Sequence, residues 1–126
     1  MFIAWNESLS TDNPAIDTQH RKLIDLIQDL YTAFKADKPI NTQLAILEEF
    51  VSYLDIHHSF EEQLFPMEDP KIIDEHIAEH QKIHDMFSDM LKRTRQAGTG
   101  FHEKDIEDLR TILLDHIEED VQDLKG

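Results

Sequence analysis

Pairs of histidine and carboxylate residues, four positions apart, recur along this chain. On an α-helix, residues i and i+4 project from the same face, so each pair can offer two donors to one centre. Histidine nitrogens and carboxylate oxygens are ordinary ligands of iron, zinc, manganese and copper. Three pairs, of two histidines or of a histidine and a carboxylate, fall on the apolar stripes of their helices: His57 with Glu61, His76 with His80, and His116 with Asp120.

His20 adds a seventh donor, because it completes an apolar stripe between Ile16 and Leu23 on another segment. Burying such groups without compensation is costly, at a few kcal/mol for each unpaired polar group and more for an isolated carboxylate. A bound cation offsets that cost. One ion cannot readily use seven ligands, whereas two ions that share bridging carboxylates can, so the count predicts a dinuclear site.

Three further histidines fit the pattern less well. His58 directly follows an inward residue and His102 lies near a helix start, which favours solvated or supporting roles for both. His84 follows His80 by four residues, so these two form an alternative to the pair of His76 and His80. An uninterrupted stripe favours His76; it consists of Ile73, His76, His80, Ile83 and Phe87.

The composition narrows what the protein can bind. It has 27 acidic and 12 basic residues and a formal net charge of −15, which repels phosphate backbones and anionic lipid headgroups. Neither nucleic acid nor a membrane is therefore an expected partner. The absence of cysteine excludes thiolate ligands and leaves nitrogen and oxygen donors for a metal. Without a basic leader or a long apolar stretch, the expected location is the cytoplasm.

Apolar periodicity, proline and glycine predict four helices that position these donors. The length fits a single domain over residues 1–126. Breaks near Pro39, Pro66 and Gly98 separate helices predicted at residues 14–37, 41–65, 70–97 and 102–124, with Asn41 as the N-cap of the second. Short loops between them predict an all-α, antiparallel up-down-up-down four-helix bundle with the metal site in its core.

The motifs, taken in this order, resemble the bacterial hemerythrins of the hemerythrin-like HHE cation-binding family. The similarity covers nearly the whole chain, and the motif set is specific. It rests on Trp5, Ile16-Asp17-Thr18-Gln19-His20-Arg21-Lys22-Leu23, His57 with Glu61-Glu62, His76-Ile77-Ala78-Glu79-His80, and His116-Ile117 with Asp120. Members of this family are four-helix bundles that hold two iron ions and bind dioxygen reversibly.

The resemblance implies a role for each of the seven donors. It assigns His76, His80 and His116 to one iron. It assigns His20 and His57 to the other iron, and Glu61 and Asp120 to bridging positions between the two. An oxo or hydroxo group would also bridge the two iron ions. The iron with two histidines would keep an open coordination position for dioxygen.

One departure from the family pattern concerns the last carboxylate. The family usually places it five residues after the preceding histidine, where this chain has Val121, and Asp120 comes one residue earlier. A separation of four also brings both side chains to one face, so Asp120 is expected to bridge, with Glu119 as the weaker alternative.

Three apolar residues are candidates for lining a pocket around the open iron. Ile117 directly follows a predicted ligand, and Leu23 and Phe50 lie on predicted inward stripes. A confined apolar pocket would slow the loss of reduced oxygen species and therefore slow autoxidation.

Two classes of function compete. An oxygen carrier, store or sensor is a binding module, and a sensor would also need an output domain or protein partner. The alternative is a redox, nitric oxide or peroxide-responsive sensor or scavenger, or an iron-centre repair protein. Di-iron oxygen activators usually present paired ExxH motifs, and none of the predicted ligand histidines has a Glu three residues before it. Dioxygen is therefore the expected partner, and the protein is not expected to be an enzyme.

Overall fold

Four long helices make up most of the chain. The computed structural model describes residues 1–64, 70–98 and 100–125. The helices are α1 (Pro14–Lys35), α2 (Ile40–Leu64), α3 (Pro70–Ala97) and α4 (Glu103–Lys125), and a short 3-10 helix, Glu7–Leu9, precedes them. Within the described ranges no strand occurs, so the predicted all-α class is confirmed.

Neighbouring helices in the bundle run antiparallel. Side-chain contacts join the early part of one helix to the late part of the next, and they close the ring between α4 and α1. These contacts are Gln19 with His57, Glu48 with Arg95, His76 with Asp123, and Glu103 with Lys35. The arrangement is the predicted up-down-up-down bundle, which places the first turns of α1 and α3 beside the last turns of α2 and α4.

The boundaries of α1 follow from local hydrogen bonds. The side chain of Asn13 accepts from the backbone N–H groups of Ala15 and Ile16 at 3.0 and 3.2 Å, and Pro14 supplies a preset φ at the first helical position. At the other end, Asp37 adopts φ +53° and its N–H donates to the carbonyl of Phe34. This left-handed cap stops the helix two residues before the predicted end.

The start of α2 differs from the sequence prediction. The carbonyl of Pro39 accepts from the N–H groups of Thr42 and Gln43, and the Gln43 side chain donates to the carbonyl of Lys38 at 2.8 Å. Pro39 therefore takes the N-cap position, and Asn41 lies within the first turn, so the predicted cap was wrong. The predicted end of α2 at residue 65 and the turn at Pro66 lie outside the described residues.

An apolar core fills the half of the bundle away from the clustered histidines. Phe50 and Phe87 meet edge to face with ring centroids 4.9 Å apart, and both are fully buried. Leu23, Leu47 and Leu109 are likewise fully buried around them in one continuous cluster. Among the described residues, no helix combines the length and apolarity needed to cross a membrane.

Candidate metal centre

Five of the seven predicted donors meet in one buried group. His20 comes from α1, His57 and Glu61 from α2, and His116 and Asp120 from α4. One potential ligand atom from each lies within 4.8 Å of all the others, and every residue of the group is buried. Asp120 Oδ2 lies 2.8 Å from His20 Nε2 and 3.0 Å from His116 Nε2. The helices thus present three imidazoles and two carboxylates to one point.

A second group of donors adjoins the first. It consists of His58 on α2, His80 on α3 and His116 on α4, whose ligand atoms also lie within 4.8 Å of one another. The rings of His58 and His80 are stacked, with centroids 3.8 Å apart and planes inclined by 2°. Because His116 belongs to both groups, the two possible metal positions are neighbours.

Glu61 lies between the two groups. Its Oε1 contacts His57 Nε2 and lies 3.4 Å from His116 Nε2, while its Oε2 lies 3.4 Å from His80 Nε2. The side chain is fully buried, and neither oxygen has a hydrogen-bond partner among the described residues. A buried carboxylate with two such oxygens is costly unless a cation compensates it. The two oxygens thus face different imidazoles, as a bridging ligand requires.

Two hydrogen bonds fix which nitrogens face the cluster. His57 Nδ1 donates to Gln19 Oε1 at 2.7 Å, and His80 Nδ1 donates to Glu62 Oε1 at 3.2 Å, since amide and carboxylate oxygens only accept. In the neutral rings, each Nε2 therefore carries a lone pair directed towards Glu61. A lone pair facing a carboxylate oxygen is repulsive unless a cation lies between them, so the donor set fits a metal.

The electrostatics of the cluster without metal are dominated by its carboxylates. Burial by itself lowers the pKa of His116, but contacts with Asp120 and Glu61 outweigh it and raise that pKa to about 10. For His20, burial also lowers the pKa, but contacts with Asp120 and Glu61 outweigh burial, so the pKa of His20 is raised. Burial works against ionisation of Asp120 too, yet the neighbouring imidazoles hold its pKa below the usual range. Protons thus occupy places that a metal would take.

His58 differs from the other clustered histidines. Burial, followed by the nearby imidazoles of His116 and His80, lowers the pKa of His58 to about 2. Its ring is therefore neutral at every physiological pH, as a metal-ligating imidazole must be.

The chain matches one protein family over most of its length. The family profile described as the hemerythrin HHE cation binding domain matches residues 11–125. This chain belongs to the hemerythrin HHE family. It is similar to proteins named bacteriohemerythrin from Pseudomonas aeruginosa, at 31% identity over 94% of this chain and 76% of the relative. A bacteriohemerythrin from Stenotrophomonas maltophilia is 30% identical over 96% and 78%. No solved structure gives a significant match.

The chain is therefore a metal-binding domain, and the clustered residues are ones that could hold a metal ion. The structure brings His76 into neither group: its side chain is 22% exposed and its Nε2 lies 3.4 Å from Asp123 Oδ2. His84, the alternative, is 32% exposed and pairs with Asp55 at 2.6 Å. Of the three histidines on α3 considered as ligands, only His80 reaches the cluster.

The position of the last carboxylate follows the four-residue spacing. Asp120 is 3% exposed and lies within the first group, whereas Glu119 is exposed at the surface. Val121, at the position where the family usually has its carboxylate, packs half-buried against the apolar core. The two carboxylates in the cluster are therefore Glu61 and Asp120, and their roles as bridging ligands stay a prediction.

Sequence reasoning missed three polar residues that shape the cluster. His58 is only 5% exposed, which excludes the solvated role considered for it. The signal was present, since His58 and Glu61 are three residues apart and share a helix face. Gln19 and Glu62, which bind the outer nitrogens of His57 and His80, stand next to predicted ligands in the sequence but had no separate signal.

Two clefts connect the cluster with solvent. A cleft of about 350 Å³ between α3 and α4 is lined by His80, His116, Asp120 and several acidic residues. Another, of about 370 Å³, lies between α2 and α3 and includes His58 and His80. Small ions and molecules can therefore approach the histidines from two sides.

The three apolar pocket candidates are all fully buried. Leu23, Phe50 and Ile117 belong to the continuous core, and none of them lines either of the two clefts. Their predicted contact with a bound gas molecule is untested.

Proposed function

We propose that this chain holds two iron ions in the buried cluster and binds dioxygen reversibly at them. The observation that carries the proposal is Glu61: its Oε1 lies beside His57 and His116, its Oε2 lies beside His80, and neither oxygen has a hydrogen-bond partner among the described residues. When bound, an iron pair supplies the electrons with which dioxygen is held. The relatives named bacteriohemerythrin support this assignment for the metal and the ligand.

The protein's own part in this function is to fix the donors and limit water. Gln19 and Glu62 orient the rings of His57 and His80, so these ligands need no reorganisation when the metal binds. The donors are mostly neutral imidazoles, which give less negative charge to stabilise highly oxidised iron than a carboxylate-rich site would. We therefore propose binding, rather than catalytic oxidation, as the activity, with an oxygen carrier, store or sensor as its use.

One observation favours a second candidate. The cleft between α3 and α4 reaches His80, His116 and Asp120 from solvent and is lined by acidic side chains. Access of water to the ions would speed loss of reduced oxygen species, which suits a redox, nitric oxide or peroxide-responsive sensor or scavenger. The apolar core on the other side of the cluster favours reversible binding.

Metal content together with the visible spectrum tests the proposal. The air-purified protein is analysed for iron, zinc and copper, reduced without oxygen, and then exposed to oxygen with fast mixing. We expect two irons per chain, near-ultraviolet and visible charge-transfer bands, bleaching on reduction, and a new visible band with oxygen that disappears when oxygen is removed. Iron that reoxidises without an oxygenated species would favour the redox candidate. Zinc, or no metal, would reject the iron assignment.

A further inference from the structure

We propose that His58 is a positioning residue: its ring stacks on His80 and holds the plane of that imidazole in the orientation in which it binds a metal ion. His58 itself stays outside the ligand set in this role. The inference rests on the proposed function only in requiring that His80 binds a metal. It does not require that dioxygen binds there.

The ring of His80 has one soft degree of freedom. Rotation about the bond between Cβ and the ring is broad and roughly two-fold for histidine, so the helix backbone does not determine the plane of the ring. A metal ion binds in that plane, along the lone pair of Nε2, which lies 3.4 Å from Glu61 Oε2. A rotated ring would direct its lone pair away from the carboxylate that is expected to share the ion.

Two residues of α2, one helical turn apart, contact this ring. Glu62 accepts the Nδ1 proton at 3.2 Å, which determines the nitrogen that keeps the lone pair. The Glu62 side chain is 33% exposed, and one hydrogen bond at a corner of the ring still allows the ring to tilt. His58 covers the face of the ring, with centroids 3.8 Å apart and planes inclined by 2°. The hydrogen bond therefore sets the tautomer, and the stack sets the plane.

The His58 ring is itself well packed, as a positioning residue must be. It is 5% exposed, and it meets the ring of His116 at 4.9 Å between centroids with an interplanar angle of 70°. One turn earlier on α2, Leu54 is buried in the apolar core. The Nε2 of His58 has no hydrogen-bond partner among the described residues, so this atom adds no polar contact to the cluster. What His58 provides to His80 is the flat face of its ring.

Two variants separate stacking from ligation and from simple filling of space. H58F keeps a planar ring that can stack but cannot bind a metal, whereas H58L keeps an apolar side chain without a ring. H102L, at an exposed position just before α4, is the control. The full-length wild type and the three variants are freed of metal and titrated with Co²⁺ alone, whose visible absorption reports the geometry of its ligands. Helical circular dichroism of each metal-free protein reports folding.

We expect the wild type, H58F and H102L to bind two Co²⁺ per chain with the same affinity and the same visible spectrum. H58L should also bind two, but one of them about 10-fold more weakly and with an altered spectrum, because stacked rings and partners behind a ligand contribute on this scale. Loss of one ion in H58F would mean that His58 is a ligand. Wild-type behaviour in H58L would mean that the residue only fills space. Either result would overturn the proposal.

Proton nuclear magnetic resonance measures the stack directly in the wild type. A ring proton that lies over a second ring at 3.8 Å is shifted upfield, and we expect this shift for His80 in both the metal-free and the Zn²⁺-loaded protein. The shift should persist in H58F and disappear in H58L. If it disappears from the wild type when Zn²⁺ binds, the stack does not hold the liganded ring and the proposal is wrong, even where H58L fails to fold. A wild type that behaves as expected here but forms no oxygen complex with iron would reject the proposed function alone.

Discussion

Gln19 determines which nitrogen of His57 can bind a metal. Its amide oxygen accepts the Nδ1 proton of His57 at 2.7 Å, so the lone pair lies on Nε2, which faces Glu61 and His116. Glu62 does the same for His80 but with a carboxylate. Outer partners of this kind orient a ligand and raise its basicity, so they affect metal affinity without touching the metal.

The variant Q19L tests this role. Leu has a similar size but cannot accept the Nδ1 proton, so the His57 ring loses its fixed tautomer. We expect Co²⁺ affinity to fall by about 10- to 100-fold, with unchanged helical circular dichroism. Q96L, a change of the same type at an exposed position on α3, is the control and should bind like the wild type. Equal affinity in the two variants would remove Gln19 from the metal centre.

Protons in the metal-free cluster predict how its stability depends on pH. His116 has a pKa raised from 6.5 to about 10, because Asp120 and Glu61 outweigh the effect of burial. A group with a raised pKa binds its proton more tightly in the folded state. Its contribution to stability is therefore complete below pH 6.5 and is lost as the pH rises towards 10.

For the chelator-treated protein, we expect the free energy of unfolding in urea to fall continuously from pH 6.5 to pH 10. Circular dichroism at several pH values in this window measures it. In H116Q the dependence should be flatter, since the titrating group is absent. A wild type whose stability is constant or rises over this range would show that His116 does not retain its proton.

At the level of the helices, apolar periodicity was a reliable guide to the fold. All four were predicted to within two residues at each described end, because proline and positive-φ positions limit how far a helix can extend. The errors were local. Asn41 has a good capping side chain, but the helix already begins at Ile40, where the Pro39 carbonyl accepts from the N–H groups of Thr42 and Gln43.

The ligand set was harder to predict from sequence, since it depends on the rotation of each helix about its axis. On α3, His76, His80 and His84 share one face, and only packing against α2 and α4 selects His80. His57 and His58 are adjacent on α2 and both are buried, but only His57 falls on the apolar stripe. The stripe therefore predicts that His57 faces the core and gives no such prediction for His58. Spacing indicated which side chains could bind a metal but could not give these rotations.

Asn13, the N-cap of α1, and Asn41, in the first turn of α2, allow a matched comparison of two Asn-to-Ala variants. Asn13 accepts from Ala15 and Ile16 at the start of α1, and N13A should lower the free energy of unfolding by about 1 kcal/mol. N41A, within the first turn of α2, should leave stability unchanged or slightly higher, because Ala is the better helix former. Urea unfolding of metal-free protein checks both. A larger loss for N41A would restore Asn41 as the cap.

At the level of the whole molecule, one half of the bundle buries apolar side chains and the other half buries polar and charged ones. The apolar half packs Phe50 and Phe87 in a dense core, while the other half buries Glu61 and Asp120 among imidazoles. Buried charges seldom stabilise a fold, and replacing them by apolar side chains is often neutral or stabilising. The cluster should therefore weaken the metal-free bundle and strengthen it only once metal is bound.

The double variant H57L/E61M tests this balance. It removes the carboxylate whose oxygens lack partners and the imidazole in contact with it, and it fills the space with apolar atoms. We expect the metal-free variant to be more stable than the metal-free wild type by about 1–4 kcal/mol and to bind no metal tightly. The metal-loaded wild type should exceed both in stability, because binding to the folded state alone adds to its free energy of unfolding.

A surface pair with the same spacing serves as the control for that variant. Lys104 and Asp108 lie four residues apart on exposed α4, with Nζ and Oδ1 separated by 3.5 Å. K104L/D108M should change stability by no more than about 0.5 kcal/mol, since solvent already screens that pair. A metal-free wild type more stable than H57L/E61M would mean that the buried polar cluster stabilises the bundle without a metal ion. In that case Glu61 would be held by protonated imidazoles alone, and its unpartnered oxygens would no longer argue for a metal.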